Sequence, residues 1–397
     1  MRILIVHNRY LIRAGEDMSW TRAQSLLRQH GHEIVNYTRD NREITQISSW
    51  KTGVRTVWSI EDYSALRKTI RQHRPDVMTI NNFFPLISPA AYYAARAEGV
   101  PVVQYLHNYR LLCLGSYLFR KGQVCEECLG KSIPWPGILH GCYRQNRIVS
   151  SAVAAMLTTH QALKTWRRMV DVYVALTDFC RDKFIEGGLP AEKIVVKPNF
   201  VHPDPGVGTG AGGYAFYAGR LTVEKGVDTL ITAWEKLGRS IPLKIIGEGE
   251  LVDQVLQAAR NNPAIEYLGP QNHETVIEMM KQASFLAFPS RWYEGMPGTI
   301  IEAYGTGTPV ITSALGSMSG MVEHGKTGLH FRAGDVADLI RQVTWATSHP
   351  AAMASMRLAA RTEFETRYTA DKNYEALIRI YQLAVDRGLE KSRKNRP

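Results

Sequence analysis

Short apolar runs alternate with amphipathic segments along most of the chain, which is the pattern of strands followed by helices. The first apolar run predicts a buried strand, and Ser19 to His30 predicts the helix after it. The predicted strands of the first half are Arg2 to His7, Glu33 to Tyr37, Asp76 to Ile80, Pro101 to Leu106, Asp171 to Leu176 and Ile194 to Lys197. Arg147 to Arg168 predicts one long helix. This alternation is typical of an α/β fold with a parallel, doubly wound sheet.

The alternation restarts after a stretch rich in glycine and proline. This stretch, Pro203 to Gly213, predicts a flexible connector. The predicted strands beyond it are Tyr214 to Ala218, Leu243 to Ile246, Ile265 to Leu268, Phe285 to Phe288, Pro309 to Thr312 and Gly328 to Phe331. We therefore predict two Rossmann-like doubly wound domains that face each other across a cleft at the carboxyl ends of their strands, where such sheets bind ligands.

Length and charge refine this picture. At 397 residues the chain is longer than one core usually supports, and 48 basic against 37 acidic residues give a net charge of +11. Such an excess suits nucleic acid, an anionic membrane surface or phosphorylated substrates. No nucleic-acid-binding module is visible, so we expect no nucleic-acid partner. Without a signal sequence or about eighteen consecutive apolar residues, the protein is expected to be cytoplasmic, with peripheral contact at the inner face of the membrane left open.

Candidate chemistry is densest between Phe288 and Val310. Seven residues lie between Glu294 and Glu302, the first in a loop and the second in a short predicted helix. The loop residues Gly295 to Gly298 allow close approach of the backbone to a ligand, and the first turn of the helix has N–H groups without intrahelical acceptors. Two carboxylates beside such amides suit a ligand with hydroxyl groups at both ends and an anionic centre. A nucleotide sugar has this chemistry.

A second group of candidates follows the first strand of the second half. Arg220 and Lys225 lie on the turn after this strand, and the Gly247-Glu248-Gly249 turn lies downstream. Two fixed cations stabilise the charge that develops on a departing diphosphate, at roughly 4 kcal/mol for each pair near a protein surface. The chain has no D-x-D motif for a divalent ion, so we expect no cofactor in catalysis.

The strings E-G-M-P-G-T-I-I-E-A and G-R-L-T-V-E-K-G resemble the signatures of the retaining glycosyltransferases of family 4, which have the GT-B fold. H-N-Y-R-L-L-C and G-C-Y-R are similar to a bacterial subgroup of that family that builds cell-surface polysaccharide. The resemblance implies that Glu294 lies near the donor sugar, that Glu302 bonds the ribose hydroxyls, and that Arg220 and Lys225 bind the diphosphate. The donor-binding residues that it implies are Gly15, Gly219, Arg220, Lys225, Gly247, Glu248, Glu294, Gly295, Met296, Pro297, Gly298 and Glu302.

In the first half, the resemblance points to His107, at the end of a predicted strand, as a catalytic residue near the primary hydroxyl of the sugar. Asn108 follows it where many members have Asp. With His107, the implied catalytic residues are Arg220, Lys225 and Glu294. The predicted domains are an acceptor-side domain at 1–200 with a cysteine-containing insertion at 108–146, a linker at 201–213, a nucleotide-sugar-binding domain at 214–369, and a last helix at 370–397 that crosses back to the first domain.

Four of the five cysteines, Cys113, Cys125, Cys128 and Cys142, cluster in that insertion. A Cys-x-x-Cys pair with one more cysteine on each side has the inventory of a tetrahedral structural zinc site. Four reduced thiols are the alternative, and the sequence leaves both open.

With the resemblance, these observations predict a metal-independent hexosyltransferase. Retention is what the resemblance implies, and we expect a front-face mechanism because no carboxylate is placed as a nucleophile. The expected donor is a UDP-, GDP- or ADP-sugar, and the expected acceptor is a glycan or a lipid-linked molecule. The alternatives are a soluble-acceptor synthase or phosphorylase of the same fold, and a zinc-containing nucleic-acid-binding protein.

Overall fold

The computed structural model describes residues 1–11 and 15–394 of the chain. These residues form two compact units. The first unit contains residues 1–118, 126–198 and those from 373 onward, and the second contains residues 119–125 and 199–372. The insertion predicted at 108–146 is therefore not one part of the first domain, because its central segment, 119–125, lies in the second unit.

The first unit is built on a parallel sheet. Its strands and those of a short hairpin are β1 (Arg2–Arg9), β2 (Glu33–Asp40), β3 (Val77–Asn82), β4 (Val102–Leu106), β5 (Phe119–Arg120), β6 (Gln123–Val124), β7 (Val172–Ala175) and β8 (Ile194–Val196). The sheet has the order β2-β1-β3-β4-β7-β8 in the described part of the chain, while β5 and β6 form a separate antiparallel hairpin. The order reverses between β1 and β3, so their carboxyl ends border the usual ligand crevice of such a sheet.

Helices connect the strands of the first unit. They are α1 (Gly15–Gln29), α2 (Ser49–Val57), α3 (Ile60–His73), α4 (Ala90–Ala97), α5 (Trp135–Leu139), α6 (Arg147–Ala162), α7 (Thr165–Arg168) and α8 (Asp178–Glu186). The single helix predicted from Arg147 to Arg168 is therefore two. Lys164 lies between them in the left-handed region, with φ at 57°. The buried Trp166 follows in α7.

The second unit repeats the design with another parallel sheet. Its strands are β9 (Ala215–Ala218), β10 (Leu243–Ile246), β11 (Ile265–Tyr267), β12 (Phe285–Phe288), β13 (Val310–Ser313) and β14 (Gly328–Phe331). Its helices are α9 (Val227–Leu237), α10 (Val252–Asn261), α11 (His273–Gln282), α12 (Gly298–Gly305), α13 (Ser317–Met321), α14 (Val336–Ser348) and α15 (Pro350–Arg367). The described strands run in the order β11-β10-β9-β12-β13-β14, so the reversal lies between β9 and β12.

Both faces of this second sheet are buried. Along β9, Ala215 and Tyr217 contribute to one apolar cluster, while Phe216 and Ala218 contribute to the other. Successive strand residues point to opposite faces, so a run of four apolar residues fills two cores at once. This explains why the predicted strands read as unbroken apolar runs rather than as alternating ones.

The connector after the first unit is held against the second unit, so the prediction of a flexible connector was wrong. The backbone N–H groups of Gly208, Gly210 and Gly212 donate to carbonyl oxygens of the second unit at 2.8–2.9 Å. A Cβ atom at Gly208 would lie 2.2 Å from the carbonyl oxygen of Lys281. The glycines therefore serve close backbone packing rather than freedom of movement.

The last helix, α16 (Ala370–Lys394), packs within the first unit from residue 373 onward. The ring of Tyr374 stacks on that of His30 with centroids 3.7 Å apart. Nearer its end, the Nη1 group of Arg387 donates to the carbonyl oxygen of Asp171 at 2.9 Å. None of the helices in the described ranges has a stretch long and apolar enough to cross a bilayer.

Candidate active site

The turn from β9 to α9 carries the first candidate residues. After β9, residues 223–225 form one 3-10 turn, and Gly226, with φ at 71°, is the N-cap of α9. A Cβ atom at Gly226 would lie 2.0 Å from the carbonyl oxygen of Pro289, which follows β12. Only glycine fits so close to the backbone of Pro289. The turn therefore lies directly against the end of β12, where the strand order reverses.

This approach brings Lys225 and Glu294 into contact. The Nζ atom of Lys225 lies 2.7 Å from Oε1 of Glu294, and the Oγ–H group of Ser290 donates to the same oxygen at 2.8 Å. The two charged side chains are only 17% and 7% exposed. The ammonium also lies 5.6 Å from the ring centroids of Phe288 and Trp292. Shielding by rings and burial strengthens this charge pair relative to one in water.

Arg220 stands on the same turn but is more exposed. Its Nη2 atom lies 3.1 Å from Oε1 of Glu224, and its side chain is 55% exposed. The hydroxyl of Tyr217 donates to the carbonyl oxygen of Arg220 at 2.7 Å and fixes the backbone there. The guanidinium is therefore anchored at its base and accessible at its tip.

The Gly247-Glu248-Gly249 turn packs against this first turn. A Cβ atom at Gly247 would lie 1.9 Å from the carbonyl oxygen of Gly219. A Cβ atom at Gly249 would lie 2.4 Å from that of Leu221. The glycines thus allow two backbone turns to touch, while the Glu248 side chain is exposed. The pattern G-x-G here has a packing reason that sequence reasoning did not supply.

The loop before α12 is held by polar contacts to its backbone. The Oγ–H group of Ser317 donates to the carbonyl oxygen of Gly295 at 3.0 Å, and the sulfur of Met296 accepts from the N–H group of Asn199 at 3.1 Å. Pro297 precedes the helix, and a Cβ atom at Gly298 would meet nothing within 4 Å. The N–H groups of the first turn of α12, which have no intrahelical acceptors, therefore begin beside open space.

Glu302 lies one turn into α12 and pairs with a histidine. Its Oε1 atom is 2.9 Å from Nε2 of His273, the first residue of α11. Glu302 is 9% exposed, and the side chain of His273 is half exposed. Sequence reasoning missed both His273 and Ser290. The Asn272 cap that begins α11 was a readable signal for the position of His273, since its side chain accepts from the N–H group of Thr275 at 2.8 Å.

In the first unit, His107 follows β4 as predicted, and it is partly buried. Its Nε2 atom lies 3.2 Å from Oδ1 of Asn81, and its ring stacks on Tyr105 with centroids 5.2 Å apart. Gly15 is the first residue of α1, and residues 12–14 of its loop lie outside the described residues. The donor-binding role of Gly15 therefore stays a prediction.

Lys197 is a buried cation near these residues that the sequence did not single out. It follows β8, is 3% exposed, and lies with its Nζ atom 5.6 Å from the ring centroid of Tyr105. The Nζ group donates to the carbonyl oxygen of Pro198 at 3.2 Å. Burial lowers the pKa of Lys197 from 10.5 to about 7. Near neutral pH, this side chain therefore exchanges a proton readily.

A zinc site on the four clustered cysteines stays a prediction. Cys113, Cys125, Cys128 and Cys142 are all partly buried. Within the described ranges, no group of three or more His, Cys, Asp or Glu side chains is arranged to hold a metal ion. Cys128 lies 3.8 Å from the carbonyl oxygen of Pro134, a contact typical of a thiol in a packed loop.

Family models match both halves of the chain. The model described as "Glycosyltransferase Family 4" matches residues 23–205, and the one described as "Glycosyl transferases group 1" matches residues 211–363. Both halves therefore carry glycosyltransferase domains, and the two matches meet near the connector.

Known proteins similar to this chain fall in the same class. A glycogen synthase of Mycobacterium tuberculosis is 33% identical over 178 residues, which cover 43% of this chain and 42% of that protein. The match thus spans well under half of the relative's length. The alpha-D-kanosaminyltransferase of Streptomyces kanamyceticus is 23% identical over 313 residues, covering 75% of this chain and 74% of that protein.

Solved structures confirm the GT-B fold. Anabaena HepE in complex with UDP superposes with a TM-score of 0.68 at 16% identity and covers 96% of this chain and 100% of its own. A glycosyltransferase from Rickettsia africae gives a TM-score of 0.72 at 14% identity and covers 97% of this chain and 98% of its own. HepE has also been solved with UDP-glucose.

Proposed function

We propose that this chain, which carries glycosyltransferase domains in both halves, is a retaining transferase of the family 4 type. It would move a hexose from a nucleotide-diphosphate sugar to a glycan or lipid-linked acceptor. The process that it would serve is the assembly of cell-surface polysaccharide. The observation that carries the proposal is the shielded pair of Lys225 and Glu294 at the reversal of strand order. It provides a buried cation and a carboxylate beside the exposed guanidinium of Arg220 and the open start of α12.

The donor diphosphate would bind at this group. Arg220 and Lys225 lie on one turn, and the first N–H groups of α12 add partial positive charge. Glu302, one turn along α12, would accept hydrogen bonds from ribose hydroxyls. A UDP-sugar is the first choice of donor because HepE, with the same fold, binds UDP and UDP-glucose.

The chemistry follows from where charge develops. When the glycosidic bond to the β-phosphate breaks, negative charge grows on the leaving phosphate, and the cations of Arg220 and Lys225 stabilise it. Glu294 holds the Lys225 ammonium in place before the donor arrives, so little reorganisation is needed during reaction. The acceptor oxygen would bond to the anomeric carbon on the face from which the phosphate departs, and the leaving phosphate oxygen would take the proton of the acceptor hydroxyl. The sugar would pass to the acceptor with retention, without a metal ion or a protein nucleophile.

A soluble glucan acceptor is the second candidate. The 33% identity to a glycogen synthase favours it, although that match covers only 43% of this chain. A glucan acceptor would leave the donor chemistry of the second unit unchanged. The two candidates separate by whether product accumulates on a soluble oligosaccharide or on a lipid-linked one.

A nucleotide-binding panel tests the proposal. Binding of UDP, GDP and ADP is measured by calorimetry, followed by hydrolysis of the matching sugar donors. We expect one nucleotide to bind and Glu302→Gln to weaken it by about tenfold or more, since a hydrogen bond to a charged group is worth about 1.5–3 kcal/mol. Glu235→Gln, an exposed change near the end of α9, is the matched control. Equal binding by both variants, or none by the parent protein, would contradict the donor site.

A further inference from the structure

Three helices of the first unit expose large apolar side chains to solvent. The residues are Trp50, Val54, Trp135, Leu139 and Ile148, with exposed fractions of 68%, 60%, 53%, 53% and 82%. We call the surface of α2, α5 and α6 that carries them the apolar face. Single exposed apolar residues are ordinary, but several large ones on adjoining helices mark an interaction surface.

Contacts between the helices place these residues side by side. A Cβ atom at Gly53 of α2 would lie 3.6 Å from Cβ of Ala152 on α6. Ile148 precedes Ala152 by one helical turn and shares its side of α6. The Nε group of Arg147 donates to the carbonyl oxygen of Leu139 at 2.9 Å, which joins the end of α5 to the start of α6. The apolar face is therefore continuous across the three helices.

The same segments carry positive charge only. Residues 44–60 and 128–170, which contain α2, α5, α6 and α7, have no Asp or Glu, although the whole chain has 37 acidic residues. Their basic residues are Lys51, Arg55, Lys131, Arg144, Arg147, Lys164, Arg167 and Arg168. At the borders, Glu61 pairs with Arg39 and Arg55, Asp62 pairs with Arg55 at 2.7 Å, and Glu127 lies 3.0 Å from His140. Arg55 is thus neutralised, and the other seven basic side chains of these segments supply the positive charge. The charge around the apolar face is thus complementary to an anionic partner.

Two of the aromatic residues have a lysine beside their ring. The Nζ atom of Lys51 lies 5.8 Å from the ring centroid of Trp50, and that of Lys131 lies 6.0 Å from that of Trp135. Indole rings prefer the boundary between hydrocarbon and water, and lysine stems extend to keep the ammonium at the headgroups. A Trp beside a Lys on each of two segments suits the boundary between a bilayer and water.

We propose that the apolar face of the first unit docks on the surface of an anionic lipid bilayer. Its aromatic and aliphatic side chains enter the headgroup region, and the surrounding Lys and Arg side chains bind the lipid phosphates. The proposal does not depend on the donor chemistry, because all of its residues lie in the first unit and the diphosphate-binding candidates lie in the second. It adds a partner, the lipid surface, that would bring the enzyme to a lipid-linked acceptor.

The test is sedimentation of the full chain with vesicles, without nucleotide. We expect binding to vesicles of phosphatidylcholine mixed with phosphatidylglycerol and little binding to phosphatidylcholine alone, with loss at high salt. The triple variant K51E, K131E and R144E should bind at least roughly a hundredfold more weakly, since each charge near an anionic surface is worth about fivefold and each reversal changes the charge by two. The matched control is K236E, R239E and R260E, which makes the same charge change at exposed positions of the second unit.

A second pair of variants separates apolar insertion from charge alone. Trp50→Ser with Ile148→Ser should weaken vesicle binding, whereas Leu256→Ser with Leu358→Ser, exposed in the second unit, should not. Equal binding by all variants, or no preference for anionic vesicles, would overturn the proposal. Two other results would also overturn it. One is a parent protein that binds no vesicles but forms dimers, which dissociate in Trp50→Ser with Ile148→Ser. The other is a parent protein that binds nucleic acid instead of vesicles. Nucleotide binding measured on the same samples shows separately whether the donor site is intact.

Discussion

The ammonium of Lys225 and the carboxylate of Glu294 neutralise each other in a nearly dry setting. A donor diphosphate bound beside them, as proposed, would compete with Glu294 for the same ammonium. Ser290 also donates to this carboxylate oxygen, so Glu294 would keep one partner if Lys225 turned to the phosphate. That partner offsets part of the cost of separating a buried charge pair.

Replacing Lys225 by Ala should slow turnover more than it weakens donor binding. The missing cation acts mainly on charge that appears as the bond breaks, so kcat should fall by roughly a hundredfold. Steady-state kinetics with the donor found in the nucleotide panel measures this. Lys236→Ala, exposed on α9, is the control. A rise in KM with unchanged kcat would contradict the role given to Lys225.

Lys197 predicts a pH dependence of stability. Burial lowers its pKa to about 7 in the folded chain, whereas the unfolded chain keeps the proton up to about 10.5. The unfolded state thus binds more protons between these values, so the contribution of Lys197 to the free energy of unfolding rises with pH there, by at most about 1.4 kcal/mol per pH unit.

Lys197→Met should therefore be more stable than the parent protein at pH 7 and below, and the difference should shrink as the pH rises toward 9. Denaturant unfolding at several pH values measures both chains. The exposed change Lys236→Met is the control and should show no such trend. A difference between Lys197→Met and the parent that stays constant with pH would show that Lys197 is not titrating in the folded state.

At this scale, part of the candidate site could be predicted from the sequence. Lys225 and Glu294 are 69 residues apart, yet each directly follows an apolar run, and adjacent parallel strands bring their carboxyl ends together. His273 could not be found in this way, because it begins a helix and reaches Glu302 through the packing of α11 beside α12. Lys197 looked like any charged residue after a strand, since burial is a property of the folded chain.

Among the elements, the turns around β9 depend on glycines that no other residue can replace. Gly226→Ala would place Cβ 2.0 Å from the carbonyl oxygen of Pro289 and force the turn away from β12. We expect loss of donor binding together with a loss of stability greater than the roughly 1–2 kcal/mol of a left-handed backbone alone.

Gly31→Ala is the matched control for Gly226→Ala. Gly31 also has a positive φ, 76°, but a Cβ atom there would meet nothing within 4 Å. It should lower the melting temperature slightly and leave nucleotide binding unchanged. Thermal unfolding and calorimetry on both variants separate the strain of the backbone from the displaced turn. Equal effects of the two changes on binding would contradict the packing argument.

Elements were predicted with unequal success for a physical reason. Each core strand buries both faces, so its apolar run stands out, and the predicted strand from Phe285 to Phe288 matches β12 residue for residue. Helices α11, α14 and α15 were not predicted, because their apolar residues recur on one face only and form no continuous run of large apolar side chains. The glycines of the connector were interpreted as a sign of a flexible backbone. Their hydrogen-bond acceptors, such as the carbonyl oxygen of Lys281, lie far along the chain and cannot be identified from the sequence.

On the scale of the whole molecule, the first unit is completed by the last helix of the chain. Leu377, Ile380, Tyr381 and Ala384 of α16 are at most 6% exposed. Deleting residues from 373 onward removes these side chains from the first unit. We expect a loss of stability of more than about 5 kcal/mol there, since each large buried side chain contributes about 2–5 kcal/mol.

Hydrogen exchange read by mass spectrometry checks the deletion. Peptides of the first unit should lose protection, while those of β9 to β14 keep it, because the second unit ends at residue 372. A chain that ends at Lys394 retains α16 and serves as the control. Uniform loss of protection over the whole chain would show that the two units do not unfold separately.

The return of α16 to the first unit also sets the order in which the protein can mature on the ribosome. Translation delivers β1 to β8 early, but their last covering helix emerges only after the entire second unit has been made. Part of the core of the first unit therefore stays uncovered during translation. The second unit consists almost entirely of one segment, 199–372, and can fold before the first unit is complete. A chaperone that binds exposed apolar surface should accordingly associate with the nascent amino-terminal half and leave it once α16 has emerged.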